Sequence, residues 1–311
     1  MQTDWQVCAA SRGLGDPSSE LLRTALQGSM RFSLIAHPFD IASMTEPAVL
    51  SEQLGYDALY VGDHLFYYAE PVRPWLDGWP VLASWIHLTT RIRLGMLTTN
   101  LSWRSPVTVA RATIALDVLS GGRIDLGVGV GRTADQAMAG MLDMPDAERV
   151  VRLDEGLTVL DRLLRGDHTP FAGRFTEYQH AQTEPGCVQT PRPPLIFAAH
   201  GPRNIDVAAR HADVWSSFGG FGLSFDEMIA VTRQRSQTLT QRCETIGRDP
   251  ASIGRSLLAI AIDPWRDHDA LARLVDEMSQ IKIDELVFIF PHPARRAEFE
   301  RTSLARIPQF R

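Results

Sequence analysis

Eight times along the chain a short apolar run gives way to a longer amphipathic one. The apolar runs are RFSLIA at 31–36, a run at 57–61, RIRLGMLT at 91–98, RIDLGVG at 123–129, LIFAA at 195–199, and runs at 213–217, 255–262 and 284–290. Between them, the 3.6-residue period and the boundary residues predict helices over 43–54, 80–89, 106–119, 146–165, 202–211, 225–246 and 267–280, with a last one over 294–304. Pro106 stands at a helix start and Gly55 just past a helix end, the places that suit a fixed and a permissive φ. A strict strand–helix alternation demands a parallel sheet covered by its own helices. Eight such units in about 280 residues predict a closed (β/α)8 barrel, the TIM-barrel fold. The stretch 166–194 is too long for a routine barrel loop and reads as an insertion between strands four and five; with the loop 66–80 it is expected to cover the barrel mouth. Residues 1–29 precede the first strand and read as an N-terminal extension, which leaves 30–311 as the barrel domain.

Composition narrows the partners. Hydrophobic residues at 44% and charged residues at 22% are the balance of a soluble globular chain. A formal charge of −6 argues against a nucleic-acid surface and against a basic membrane patch, so a small-molecule partner is expected. Cys8, Cys187 and Cys243 lack CxxC spacing, which excludes a readable disulfide framework or zinc knuckle and fits a reducing cytoplasm. No apolar run reaches signal-peptide or membrane-spanning length.

Active sites of such barrels lie at the carboxyl ends of the strands. There, in VGDHLF at the end of strand two, Asp63 and His64 stand side by side. An imidazole titrates near neutrality, so His64 is a candidate proton donor and acceptor, held by Asp63 or by its neighbours. The plainer reading is that Asp63 caps a loop and His64 fills space beneath it. His37, His200 and His292 also follow strands. They form no HxH pair, strand four ends in glycine and strand eight lacks a terminal aspartate, so no metal is expected. In GRIDLGVGVGRTADQ, 122–136, Gly127, Gly129 and Gly131 alternate. Either they bare one barrel wall to a flat or phosphorylated ligand, or they relieve crowding. The spacing is not the dinucleotide-binding GxGxxG. In FAAHGPRNIDVAAR, 197–210, Gly201 and Pro202 open a helix whose N-terminus favours an anion, unless this is an ordinary tight turn. Phe66, Tyr67, Tyr68, Trp75, Trp79 and Trp103 are candidate apolar substrate walls.

Taken together, segments 51–64, 91–131, 148–175 and 191–217 resemble the bacterial luciferase-like family, barrel proteins that bind flavin mononucleotide (FMN) or the deazaflavin coenzyme F420. The resemblance implies an oxidoreductase acting on a small organic substrate, with His64 over the coenzyme ring as proton donor or acceptor. It further implies that Asp63 contacts the ring's polar edge. A cis peptide between non-proline residues is implied near Leu97 and Thr98, with Asn100 close by. The phosphate-bearing tail is expected toward Val130, Gly131, His200 and Gly201. The Asp-His pair favours the F420 branch. An FMN-dependent monooxygenase served by a reductase, and a non-catalytic coenzyme carrier, stay open as alternatives. A homodimer is implied as well. The chain departs from the family's sugar-phosphate dehydrogenases at Arg132, where they carry glutamate, and at 66–68, where they carry a tryptophan. Arg132 is therefore expected to favour an anionic group or the coenzyme tail.

Overall fold

The computed structural model describes residues 30–66, 74–141 and 144–311. In chain order the strands are β1 (Arg31–Ala36), β2 (Ala58–Val61), β3 (Arg93–Asn100), β4 (Ile124–Gly129), β5 (Phe171–Ala172), β6 (Glu177–Tyr178), β7 (Leu195–Ala198), β8 (Val214–Phe218), β9 (Gly254–Leu258) and β10 (Glu285–Ile289). The helices are α1 (Ile41–Gln53), α2 (Gly78–Leu88), α3 (Pro106–Ser120), α4 (Thr133–Met138), α5 (Asp146–Leu164), α6 (Pro202–His211), α7 (Phe225–Thr245), α8 (His268–Gln280) and α9 (Arg296–Ala305). Eight strands close a barrel in the order β1-β10-β9-β8-β7-β4-β3-β2, as the alternation predicts, while β5 and β6 form a separate two-stranded hairpin. Helix α4 is a short element that the periodicity did not separate from its loop. The third strand runs on past Thr98 to Asn100.

Period-2 alternation divides the core in two. Phe32, Leu34, Phe197, Trp215 and Phe288 face outward and pack with Trp85 and Phe299 in the layer between strands and helices. Ile35, Ala58, Tyr60, Leu97, Ile196 and Val287 form the smaller cluster inside the barrel. Burial of each large apolar side chain contributes about 1.5–3 kcal/mol. Nearer the amino ends of the strands the interior turns ionic. Arg31 approaches Glu285 at 3.4 Å, and the hydroxyls of Ser33 and Tyr60 donate to Glu285 Oε1 at 2.5 and 3.1 Å. Arg93 pairs with Asp125.

Strands β3 and β4 approach unusually closely. The peptide Leu97–Thr98 is cis, and the β3–β4 register shifts between Met96 and Thr99. A Cβ on Gly127 would lie 2.0 Å from the Met96 carbonyl oxygen, and one on Gly129 would lie 2.4 Å from Thr98 Oγ1. Gly131, at φ +73, is covered in the same way by the Asn100 amide, 2.0 Å from where its Cβ would be. The glycines thus relieve crowding, Gly127 and Gly129 against the protein's own β3 and Gly131 against the Asn100 side chain.

The 166–194 excursion also departs from expectation. It connects the lower end of α5 to the start of β7, so both its ends lie at the amino-terminal end of the barrel. Its hairpin climbs the outside of α5, where Glu155 accepts from the Arg174 and Phe175 N–H groups and Glu148 pairs with Arg174. Its return is tied to α3 by Asp117, which accepts from the N–H groups of Val188 and Gln189 at 2.8 and 3.0 Å. These contacts hold it on the outer wall and lower end and not across the mouth.

Two predictions follow from this packing. Gly127→Ala is expected to destabilise the fold by about 1–3 kcal/mol, because the clash is with backbone; an unchanged urea midpoint would refute the close-packing argument. The second concerns Glu52, whose carboxylate accepts from the N–H groups of Thr90, Arg91 and Ile92 and from the Thr90 hydroxyl. Burial opposes its ionisation, but those donors outweigh burial and bring its pKa down to about 2 from an ordinary 4.5. Because the folded value is the lower one, this stabilisation is complete above the ordinary value and is lost as pH falls toward the folded one. Glu52→Gln should therefore lose less stability than the parent between about pH 5 and about pH 3, measured by urea denaturation at each.

Candidate active site

At the end of β2 the chain turns through Gly62, and the next two side chains diverge. Asp63 goes inward and is buried. Its Oδ2 accepts from Thr99 Oγ1 at 2.9 Å, Asn100 N at 3.2 Å, Trp103 Nε1 at 3.3 Å and Arg104 Nε at 2.7 Å, while Oδ1 accepts from Arg104 Nη2 at 2.8 Å. Its own N–H donates to the Thr98 carbonyl at 3.3 Å. Arg104 also reaches Asp77 at 2.8 Å, and these carboxylates raise its pKa despite partial burial. Asp77 in turn caps α2 through Trp79 N at 3.0 Å. Asp63 thus clasps the whole stretch that follows the cis peptide.

His64 turns the other way, half-exposed. Its Nδ1 lies 3.1 Å from Asp135 Oδ2. Asp135 sits on α4, 1% exposed, and is gripped by the Arg132 fork, with Nε to Oδ2 and Nη2 to Oδ1 both 2.7 Å. Burial opposes ionisation of Asp135, but His64 and Arg132 prevail and hold its pKa below the usual carboxylate value. Arg132 also donates to the Phe66 carbonyl at 3.2 Å and lies over the Phe66 ring, 5.0 Å from its centroid. Helix α4 is fixed by Gln136, whose Nε2 donates to Ser102 Oγ at 2.9 Å and to the Val130 carbonyl at 3.1 Å. On its other side, the His64 ring meets Trp75 edge-on at 5.3 Å. Trp75 donates from Nε1 to the Gly62 carbonyl at 3.2 Å and lies 5.3 Å from His37.

Across the mouth, β7 pairs with β4 and delivers His200 and Gly201. Burial, reinforced by Arg235, pushes the His200 pKa down to about 4, so the ring is neutral at physiological pH. Its Nδ1 is buried without a hydrogen-bond partner among the described residues, and so is Asn100 Nδ2. Gly201 precedes α6 with no side-chain cap, and a Cβ there would meet nothing within 4 Å. Beneath these groups the barrel floor is apolar, with Leu97 among Ile35, Ile196 and Val287.

Sequence reasoning located Asp63, His64, Leu97, Thr98, Asn100, Val130, Gly131, His200 and Gly201 at strand ends, and the structure joins the first seven into one connected network. It missed Asp135, which orients His64 where Asp63 or its neighbours were expected to. The available signal was the i,i+3 spacing of Arg132 and Asp135. Arg132, expected to favour an anionic group or the coenzyme tail, places its Nε and Nη2 on Asp135. Trp79 and Trp103 donate to Thr99 and Asp63 and so brace the clasp; Tyr67 and Tyr68 lie outside the described residues. His292 accepts from Ala294 N at 3.3 Å and caps a turn. Among the described residues no group of three or more His, Cys, Asp or Glu is placed to hold a metal ion. A second concavity, at the opposite end of the barrel, is lined by Arg31, Asp125, Arg192 and Glu285 among others, and these four pair with one another or with neighbouring side chains.

The family model for luciferase-like monooxygenases matches residues 19–303. An F420-dependent glucose-6-phosphate dehydrogenase of Amycolatopsis mediterranei is 27% identical over 241 residues, covering 75% of this chain and 68% of its own. An F420-dependent hydroxymycolic acid dehydrogenase of Mycobacterium tuberculosis is 28% identical over 278 residues, 86% of this chain and 67% of its own. Among solved structures, an F420-dependent secondary alcohol dehydrogenase in complex with an F420-acetone adduct superposes with a TM-score of 0.78 at 15% identity, covering 91% of this chain and 100% of that one. The monooxygenase RslO1 from Streptomyces bottropensis does so with a TM-score of 0.71 at 17% identity, covering 91% and 100%. At those identities the structural likeness speaks for the barrel alone, but with the family model spanning almost all of it, the chain belongs to the luciferase-like monooxygenase family.

Proposed function

We propose that the protein is an oxidoreductase that uses coenzyme F420 on a small organic substrate, with His64 giving or taking the proton. The observation that carries this reading is a half-exposed imidazole at the barrel mouth, fixed at Nδ1 by a buried carboxylate. The names of the sequence relatives support the choice of coenzyme. The residues present suit a flat, partly polar ligand with an anionic tail. The floor is apolar, Asn100 Nδ2 and His200 Nδ1 are buried without partners among the described residues, and the N-terminus of α6 opens beside an uncrowded Gly201.

In this reading Leu97 and Thr98 offer backbone to the ring, and Asn100 and His200 offer polar contacts. Val130, Gly131 and Gly201 border the tail. Asp63 serves the same site by fixing residues 98–104, its oxygens being already taken by the chain. The deazaflavin, when bound, supplies the hydride chemistry. His64 moves the proton at Nε2, the ring nitrogen that Asp135 does not engage. His200, neutral, adds a hydrogen-bonding group without adding charge. Trp75 keeps water from one edge of His64. A homodimer is part of the proposal on family grounds. No helix among the described residues is long and apolar enough to cross a membrane.

Fluorescence quenching with purified F420 and with FMN tests the coenzyme directly. Tight F420 binding is expected; binding of FMN alone would replace this reading by a flavin monooxygenase served by a reductase. His64→Ala should retain F420 binding and lose about 10²–10⁴-fold in turnover of small alcohols and ketones followed by coenzyme absorbance, the usual worth of a positioned acid or base. Full turnover in that variant would end the proton role. Asp63→Asn should weaken F420 binding and lower stability by about 1.5–3 kcal/mol, the value of hydrogen bonds to a charged group; calorimetry reads both.

A further inference from the structure

We propose that Asp135, kept ionised by Arg132, is a positioning residue that fixes the tautomer of His64 and so makes Nε2 the nitrogen through which the proton moves. This deepens the proposed function and rests on it for the reaction served, although the tautomer itself can be read without turnover.

The chemistry of the pair is directional. An ionised carboxylate only accepts hydrogen bonds, so a ring nitrogen 3.1 Å from it must carry hydrogen. His64 Nδ1 therefore holds a proton in both charge states of the ring, and the proton that comes and goes is on Nε2. A protonated Asp135 would reverse this by donating to Nδ1. Arg132 prevents the reversal: its fork occupies both carboxylate oxygens at 2.7 Å, and a side chain 1% exposed has little water to stabilise its charge otherwise. The fork is itself braced by the carbonyl and ring of Phe66.

Gly62 and Trp75 also pack against the ring. A Cβ on Gly62 would come within 2.9 Å of His64 Cδ2 and 3.0 Å of Nε2, so that edge lies directly over the glycine. Trp75 stands edge-on to the ring. Among the described residues, the other charged groups nearby are directed elsewhere: Asp63 to Arg104, and Arg104 to Asp63 and Asp77. His37 lies beyond Trp75. Asp135 is thus the carboxylate that acts on this imidazole, and the bidentate hold by Arg132 is the condition for its acting as an acceptor.

The test is nitrogen-15 NMR of histidine-labelled protein, with the His64 signals among the nine histidines assigned by their loss in His64→Gln. Under alkaline conditions, where the ring is neutral, the parent should show hydrogen on Nδ1. In Asp135→Asn the amide can donate to Nδ1, so the Nε2–H form should become populated, and kcat should fall by about 10²-fold or more with a smaller change in the coenzyme KM, as when a catalytic imidazole loses its orienting carboxylate. Asp135→Glu should restore the Nδ1–H form at least in part. Arg132→Met supplies a second arm should Asp135→Asn fold poorly: the Nε2–H form should appear there as pH is lowered, and not in the parent. An identical His64 tautomer in parent, Asp135→Asn and Arg132→Met overturns the inference even if F420 turnover is found. A tautomer change without any F420 binding leaves the inference standing and overturns the functional reading.

Discussion

The mouth of this barrel depends on one buried carboxylate. Asp63 sits at the end of β2, yet its hydrogen-bond donors come from Thr99, Asn100, Trp103 and Arg104, at the end of β3 and in the turn beyond it. A buried acceptor that loses such donors retains the full cost of its desolvation, so the contacts stand or fall together. Through them the position of β2 dictates that of the segment after the cis peptide. That segment can lie where it does only because β4 and the turn after it present glycine at 127, 129 and 131. A carboxylate on one strand, an irregular second strand and a bare third strand are consequently parts of a single arrangement.

The same economy of charge governs the rest of the site. Among the described residues around His64, Asp63 and Asp77 pair with Arg104, and Asp135 pairs with Arg132. His200 is neutral because it is buried and faces the Arg235 charge. The His64 imidazole is set among these paired charges and above an apolar floor, in contact with one of them, Asp135. The local field is then dominated by the single contact at Nδ1, which explains why a residue as remote in sequence as Asp135 matters to His64.

The sequence made the barrel legible because its signal is repeated: eight apolar runs, each with its helix, leave few topologies, and the observed boundaries fall within a few residues of the expected ones. The Asp-His pair was legible as a site because strand ends converge in such a barrel. Its internal division of labour was not. Neighbours on a chain leaving a strand point in opposite directions, so Asp63 turned to β3 and His64 to α4. Asp135 was hidden because α4 has only six residues and too little apolar period to mark it as an element. The glycine alternation was visible, but a bare wall looks the same in sequence whether a ligand or a neighbouring strand will fill it. The placement of the excursion follows from topology: a connection from helix to strand starts and ends away from the mouth.

Charge is also segregated along the barrel axis, and this bears on why chemistry can occur at one end only. Arg31, Arg93, Asp125 and Glu285 occupy the lower interior, bonded to one another and to Ser33 and Tyr60. Ile35, Leu97, Ile196 and Val287 close the interior above them. Interactions between charges strengthen as water is excluded, so an ionic layer directly beneath the mouth would bias any group there that changes charge. The apolar layer separates the two. It lets the lower end of the barrel be held by ion pairs while the upper end keeps an apolar floor beneath His64, the setting that the proposed proton role of that imidazole requires.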